Sequence, residues 1–248
     1  MFLRMHLWVS ALALCALPLY ATAADIQESG FFDDYSRLAP TPVHDEILYY
    51  ASPDYESIVA NVTTVVIAEP EIFLSPDSKY RGMRPGNMKR IADVLQSVMY
   101  DSFEDGYSIA VNSGPESIVI RMAITNLKMK RRPKRLFQYL PPAFVATTLK
   151  RTLLDDIAKN IMLTEAILEV ESVDGATGEV LGQIYIPIGT AMDNNEFPEQ
   201  LQSWDEMGAR MALTAKRLRC RLDNIKLDAS DRVDCFTTVT MSDVILID

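Results

Sequence analysis

The spacing of apolar and polar positions changes its period within one stretch of the chain. Between residues 87 and 103 the apolar side chains recur every three or four positions, which predicts an amphipathic helix. Gly106 then stands where a left-handed C-cap would end that helix. Beyond it apolar and polar residues alternate, which predicts a strand at 107–111, a turn at 112–115 and a second strand at 118–125. The expected unit is a helix lying on a sheet.

Further strands are predicted on either side of this unit. Residues 62–74 are rich in β-branched side chains and predict a strand that Pro70 interrupts. Residues 161–173 and 180–188 alternate in the same way and predict a hairpin around the turn at 174–179. In the first strand of this hairpin, the glutamates fall on the face opposite the apolar residues.

A second helix is predicted to begin at Ser203, which forms a capping box with Glu206. Its cations between residues 216 and 221 are interpreted as complementing the helix dipole, which explains them without a bound anion. Cys220 and Cys235 form an even pair in a chain expected to be exported, so a disulfide to a final edge strand is favoured over two buried free thiols. The elements together predict an α+β fold. It has two layers, a mainly antiparallel sheet with two principal helices packed on one face.

The N-terminus has the features of a secretory signal peptide. Arg4 provides a positive charge, residues 7–20 are largely apolar, and residues 21–23 form an A-x-A cleavage pattern. The apolar run is shorter than the roughly 20 residues of a membrane span, so a retained anchor is the less favoured alternative. Cys15 lies in a sequence reminiscent of a lipobox, but Leu14 replaces the small residue that this motif requires. Soluble export to the periplasm is therefore expected, with outer-membrane association and lipidation of Cys15 left open.

The remaining residues, 24–248, are expected to form a single domain. Residues 24–56 are interpreted as an ordered lead-in that packs its aromatic side chains on the domain, although an aromatic arm that binds a partner is an alternative. Residues 128–160 are interpreted as a basic-aromatic insertion.

The insertion contains the most unusual surface feature of the sequence. Residues 128–135 hold six Lys or Arg side chains in a chain whose formal net charge is −10, and aromatic residues follow directly. Such a segment can bind an anionic membrane surface or an acidic protein partner. The alternative is a solvated strand end whose cations offset nearby acidic surface. The candidate contact residues are Lys130, Arg131, Arg132, Lys134, Arg135, Phe137 and Tyr139.

The composition argues against several kinds of chemistry. Beyond the predicted signal peptide His44 is the only histidine, so a Ser-His-Asp or Cys-His arrangement could use no other. Histidines and cysteines do not cluster as zinc ligands do, and no glycine-rich phosphate motif is present, so neither a metal nor a cofactor is expected. The acidic balance also argues against nucleic acid as a partner. A carboxylate pair among the 34 Asp and Glu residues remains able to support hydrolysis.

Four pieces of the chain carry a resemblance to a known group of proteins: residues 29–38, residues 120–125, the turn at 177–179 and Trp204. In these pieces the chain resembles an uncharacterised family of bacterial envelope proteins, lipoprotein-like and defined by a domain of unknown function. The resemblance implies a place in the cell envelope and brings no activity with it. The chain departs from the family at the lipobox position.

These observations predict a non-enzymatic periplasmic protein that acts by binding or scaffolding at the cell envelope. Its expected partner is an envelope protein or an anionic membrane surface. A subunit of an envelope transport assembly and a carboxylate-dependent hydrolase are the alternatives.

Overall fold

The computed structural model describes residues 26–41, 46–131, 161–189, 204–240 and 243. Within these ranges the chain forms eight strands and four helices. The strands are β1 (Ala39–Pro40), β2 (Leu48–Ala51), β3 (Thr64–Ile67), β4 (Glu71–Leu74), β5 (Ser108–Ala110), β6 (Ser117–Arg131), β7 (Ile161–Asp174) and β8 (Val180–Gly189). The helices are α1 (Tyr55–Val59), α2 (Pro85–Phe103), α3 (Trp204–Ile225) and α4 (Cys235–Thr238).

The eight strands form one sheet in the order β1-β2-β8-β7-β6-β3-β5, with β4 also paired to β6. Along the row β1-β2-β8-β7-β6 each strand is antiparallel to the next, whereas β3 and β4 run parallel to β6. Both lie along the same edge of β6, one after the other. The strand predicted over 62–74 is therefore two short strands, separated around Pro70, which has no amide proton for a ladder hydrogen bond.

The predicted hairpin of β7 and β8 is the central antiparallel pair of the sheet. Gly178 in its turn has a φ of 79°, a backbone conformation that L side chains rarely adopt. The Gly178 amide donates to the Asp174 carbonyl across 2.8 Å, which closes the turn.

Helices α2 and α3 pack against each other and against one face of the sheet. The apolar stripe of α2 and the inward residues of β6 form the centre of this core, and each fully buried large side chain contributes about 1.5–3 kcal/mol by leaving water. Its largest members are Phe103, Ile91, Leu95, Met99, Ile118, Ile120, Met122, Ile124, Leu127 and Met129. The α+β fold with two principal helices on one face is confirmed, although four strands, β3, β4, β5 and β6, also form parallel pairs.

The role predicted for Gly106 is wrong. Helix α2 ends in right-handed geometry at Glu104, and Gly106 is not in the left-handed region. A Cβ on Gly106 would collide with the guanidinium of Arg219 on α3. The glycine therefore allows the two helices to meet closely through Arg219, whose Nη1 donates to the Ser102 carbonyl at 3.2 Å.

The second face of the sheet is covered by the segment from residue 26 to residue 41. Its aromatic side chains Phe31, Phe32 and Tyr35 are each at most 5% exposed and pack on Ile167 and Tyr185 of the sheet. The segment then enters the sheet as β1. The chain thus has apolar layers on both faces of the sheet, the thinner one formed by the lead-in.

Strand β6 continues to Arg131, beyond the predicted end at Thr125. The alternation of inward and outward side chains is interrupted after Thr125 and then resumes. Asn126 has a φ of 47°, and the register with β7 shifts between Thr125 and Lys128. This irregularity directs Leu127 into the helix-side core while Lys128 faces away from it. Lys128 is consequently a strand residue, with its Nζ 2.7 Å from the Glu165 carboxylate on β7.

Several predicted features lie outside the described residues: the signal peptide at 1–23, His44, the cap residue Ser203 and almost all of the final strand at 239–247. Within the described ranges, no helix combines the length and the apolar character that crossing a membrane requires.

Candidate ligand-binding cleft

Of the seven predicted contact residues, the structure describes two, Lys130 and Arg131, both exposed at the end of β6. The Arg131 guanidinium carbon lies 5.5 Å from the centre of the Tyr80 ring, so a cation and an aromatic ring do meet at this strand end. The other five residues, Arg132, Lys134, Arg135, Phe137 and Tyr139, lie outside the described residues.

The predicted disulfide is present between Cys220 and Cys235, with 5.8 Å between the two Cα atoms. It joins α3 to the short helix α4, where the sequence had predicted a strand near Cys235. Asp234 caps α4 by accepting from the Phe236 amide at 3.0 Å. The cross-link therefore fixes the Phe236 ring beside α3.

The interpretation of the cations on α3 as partners of the helix dipole is not supported. Helix α3 continues to Ile225, and its last turn contains no basic residue, whereas the dipole acts mainly within the last turn. Two of these cations have polar partners elsewhere in the fold. Arg219 pairs with Asp223 at 2.7 Å, and Arg217 donates to the carbonyls of Phe236 and Val239 at 3.0 and 3.2 Å. The structure gives Arg221 a different environment.

Arg221 projects into a cleft of about 410 Å³ between α3 and the end of the sheet formed by β2, β8 and β7. The floor of this cleft is a row of three small residues that pair across neighbouring strands. Gly182 of β8 lies opposite Ala51 of β2 on one side and opposite Ser172 of β7 on the other. Because none of the three has a large side chain, the space below α3 is left open. The apolar part of the wall is formed by Val170, Ile184, Leu218 and Ile225.

Arg221 shares the cleft with the hydroxyls of Tyr55 and Tyr49, each of which can donate a hydrogen bond. The Arg221 guanidinium carbon lies 4.7 Å from the centre of the Phe236 ring, and among the described residues it has neither an ion-pair partner nor a hydrogen-bond acceptor. Burial lowers the pKa of Arg221, and the nearby hydroxyls of Tyr55 and Tyr49 act on it electrostatically. Neither tyrosine hydroxyl has a hydrogen-bond partner within the described part of the chain. Burial also raises the pKa of Tyr55, which keeps its hydroxyl protonated.

The other charged groups near the cleft are already engaged. Glu56 is the only carboxylate among the described residues that line it, and it forms an ion pair with Arg232 at 3.2 Å. Asp234, whose charge also acts on Arg221, is occupied as the cap of α4. Arg221 is thus left without a carboxylate inside the described structure.

The opposite face of the sheet holds the two most deeply buried carboxylates described, Glu169 and Glu171 of β7. Tyr35 donates to Glu169 at 2.7 Å, and Thr125 donates to its other oxygen at 2.5 Å. Glu171 accepts from Arg121 at 2.7 Å and from Gln183 at 2.9 Å. Both acids therefore have donors, and Glu169 links the lead-in to the sheet through Tyr35. The predicted face of β7 does hold the glutamates, and Glu169 and Glu171 on it are buried, whereas the Glu165 side chain is 44% exposed.

Sequence reasoning missed the cleft and Arg221. One signal was available: Arg210, Arg217 and Arg221 are separated by seven and four residues, so they share a side of a helix. The floor could not be recognised, because Ala51, Ser172 and Gly182 become neighbours only through the strand register. Among the described residues, no group of three or more His, Cys, Asp or Glu is arranged to hold a metal ion.

The fold and the cleft define an α+β protein with a ligand-sized opening between a helix and the sheet. The chain belongs to the DUF3313 family, a family of proteins of unknown function, whose model matches residues 27–218. Cys220, Arg221 and Cys235 lie beyond the matched residues. No protein of curated function matches this chain in sequence.

Two solved structures are among those similar to this chain. A neuraminyllactose-binding hemagglutinin homologue from Helicobacter pylori has 11% sequence identity and a TM-score of 0.34, over 69% of this chain and 86% of that one. PelC from Paraburkholderia phytofirmans, solved as a dodecamer, has 10% identity and a TM-score of 0.30, over 73% of this chain and 98% of that one. At such TM-scores neither protein indicates what this chain binds.

Proposed function

We propose that this protein is an exported, non-enzymatic component of the bacterial cell envelope that acts by binding. The observation that carries the proposal is the cleft below α3. It is open, its wall is mostly apolar, and within the described structure the donor groups of Arg221, Tyr55 and Tyr49 in its lining have no hydrogen-bond partner. Its volume of about 410 Å³ falls within the roughly 300–1,000 Å³ of typical small-molecule sites.

The arrangement of carboxylates favours binding over hydrolysis. A carboxylate-dependent hydrolase needs two acids that converge on an open site. The cleft offers only Glu56 among its described lining residues, and this side chain is paired with Arg232. The two acids that do lie close together, Glu169 and Glu171, are at most 2% exposed beneath the lead-in and have no access to a substrate.

A single preparation tests both parts of this proposal. The full-length gene product is expressed in a bacterial host and recovered from the periplasm by osmotic shock. Its mass is expected to correspond to loss of residues 1–23, and native mass spectrometry is expected to show a retained small molecule that denaturation releases. Retention of the protein in the cytoplasm would contradict the proposed location.

The same preparation tests the hydrolytic alternative. It is incubated with ester, amide and glycoside substrates made from envelope extracts, and no turnover above a heat-treated sample is expected. Turnover that disappears in Glu56→Gln or in Glu171→Gln would overturn the proposal of a binding protein.

The basic end of β6 is proposed to add a contact with anionic membrane surface. Lys130 and Arg131 are exposed there, and each basic residue near an anionic surface contributes about 1 kcal/mol. Flotation with vesicles containing anionic lipid at low salt compares the wild type with a variant in which Lys130, Arg131, Arg132 and Lys134 are changed to Ser. The variant is expected to float less. Equal flotation of the two proteins would remove the membrane contact from the proposal and leave an envelope protein as the partner.

A further inference from the structure

We infer that the cleft binds an amphipathic organic anion, with its carboxylate or phosphate group against Arg221, Tyr55 and Tyr49 and its apolar part below α3. This inference rests on the proposed binding function and names the class of ligand for the same site.

The unpaired state of Arg221 is the first reason. Arg221 is partly buried, and a guanidinium that loses part of its hydration is stabilised when an anion or several acceptors replace it. Arg219, on the same helix, illustrates the usual solution, because it pairs with Asp223 at 2.7 Å. Arg221 contacts the Phe236 ring but has no acceptor within the described structure. A bound anion would supply the missing partner.

The geometry of the neighbouring donors is the second reason. A guanidinium presents a planar fork of N–H groups that matches the two oxygens of a carboxylate or a phosphate. Tyr55 and Tyr49 line the same cleft as Arg221 and act on it electrostatically, and both hydroxyls lack partners among the described residues. Three donor groups that line one cleft and have no acceptor among the described residues are suited to a single anionic head group.

The rest of the cleft indicates that the ligand also has an apolar part. The floor made by Ala51, Gly182 and Ser172 has only small side chains, and the wall beyond it is aliphatic. Water in such a space has few partners, and an apolar chain would displace it favourably. The second cation among the described lining residues, Arg232, is paired with Glu56, so this part of the lining provides one cation without an ion pair for one head group.

The test is isothermal titration of the purified, disulfide-bonded protein with three probes that share a ten-carbon chain: decanoate, decyl phosphate and decanol. At least one of the two anions is expected to bind roughly tenfold or more tightly than decanol, because a hydrogen bond to a charged group is worth about that ratio. Inorganic phosphate alone is expected to bind far more weakly than decyl phosphate. The comparison of decanoate with decyl phosphate identifies which head group the site takes.

Three variants locate the site. Arg221→Gln is expected to bring the affinity for the anions down to that for decanol, and Tyr55→Phe to lower it severalfold. Arg84→Gln is the matched control, because it removes the same charge from an exposed position at the start of α2, outside the lining of the cleft, and it is expected to change affinity less than twofold. If Arg221→Gln does not fold, Arg221→Lys keeps the charge without the planar fork and is expected to weaken binding by a smaller factor.

The outcomes separate this inference from the proposed function. Equal binding of all three probes, unchanged in Arg221→Gln, overturns the anion and leaves a protein that binds apolar ligands. No binding of any probe overturns the inference and would be expected if another segment of the chain fills the cleft. The binding function itself fails only through the turnover or localisation results described above.

Discussion

Replacing Tyr35 with Phe tests whether the lead-in is held to the sheet by its contact with a buried acid. The change deletes one oxygen and preserves the ring that packs against Phe32, with 5.1 Å between ring centres. It removes the hydrogen bond to Glu169, 2.7 Å long and buried on both sides, together with the 2.8 Å contact between the hydroxyls of Tyr35 and Ser29. A hydrogen bond to a charged group contributes about 1.5–3 kcal/mol, so the free energy of unfolding should fall by about 2 kcal/mol.

Urea denaturation followed by circular dichroism measures this loss with the disulfide intact. For an m-value of about 2 kcal/mol/M, the midpoint should move down by roughly 1 M. Tyr100→Phe is the control, because Tyr100 is 37% exposed and its hydroxyl has no partner in the described structure, so its effect should stay within about 0.5 kcal/mol. A double-mutant cycle with Glu169→Gln should give a coupling of about 1 kcal/mol or more for Tyr35 and almost none for Tyr100. The reasoning is refuted if the two Tyr→Phe variants are equally stable.

Three further outcomes follow from other contacts. Breaking the disulfide by changing Cys220 and Cys235 to Ser should lower the unfolding free energy by about 3 kcal/mol for a loop of 15 residues, and a urea midpoint unchanged from wild type would contradict this. Gly106→Ala should lower the free energy of unfolding by about 1–3 kcal/mol, because the new Cβ displaces the Arg219 side chain of α3. Gly114→Ala, whose Cβ meets open space, should lower it little, and equal shifts in melting temperature for the two variants would refute the close approach. Burial raises the pKa of Tyr107, so its contribution to the free energy of unfolding is complete below the unfolded-state pKa of about 10 and declines at higher pH. Tyr107→Phe should flatten that decline in urea titrations between roughly pH 9 and 11.

The fold could be predicted where periodicity alone determines an element. Helix α2 and the hairpin of β7 and β8 follow from spacings of 3.6 and 2, since each buries one face against the same core. The role of Gly106 was predicted wrongly because a glycine after a helix has two explanations, a left-handed backbone or close packing. Only the position of Arg219 in the fold distinguishes them. The pattern of β6 after Thr125 could not be followed because Asn126 breaks the alternation for one residue.

The cleft was harder to foresee than the fold. Its floor depends on three strands distant in sequence, and its principal cation had an adequate local explanation in the helix dipole until the length of α3 was known. The burial of Glu169 likewise depends on the lead-in returning across the sheet, a contact between residues 134 positions apart. Contacts of this kind arise from the tertiary arrangement and leave no periodic signal in the sequence.

The conformation of Asn126 accommodates one extra residue in β6. Between the pairs Thr125–Ile167 and Lys128–Glu165, two residues of β6 lie against a single residue of β7. Deleting Asn126 would therefore join Thr125 to Leu127 in plain alternation and would leave Leu127 toward the helices and Lys128 away from them. Homologous chains should consequently lose a residue at position 126 more readily than at Lys128, whose loss would turn Met129 away from the helix-side core.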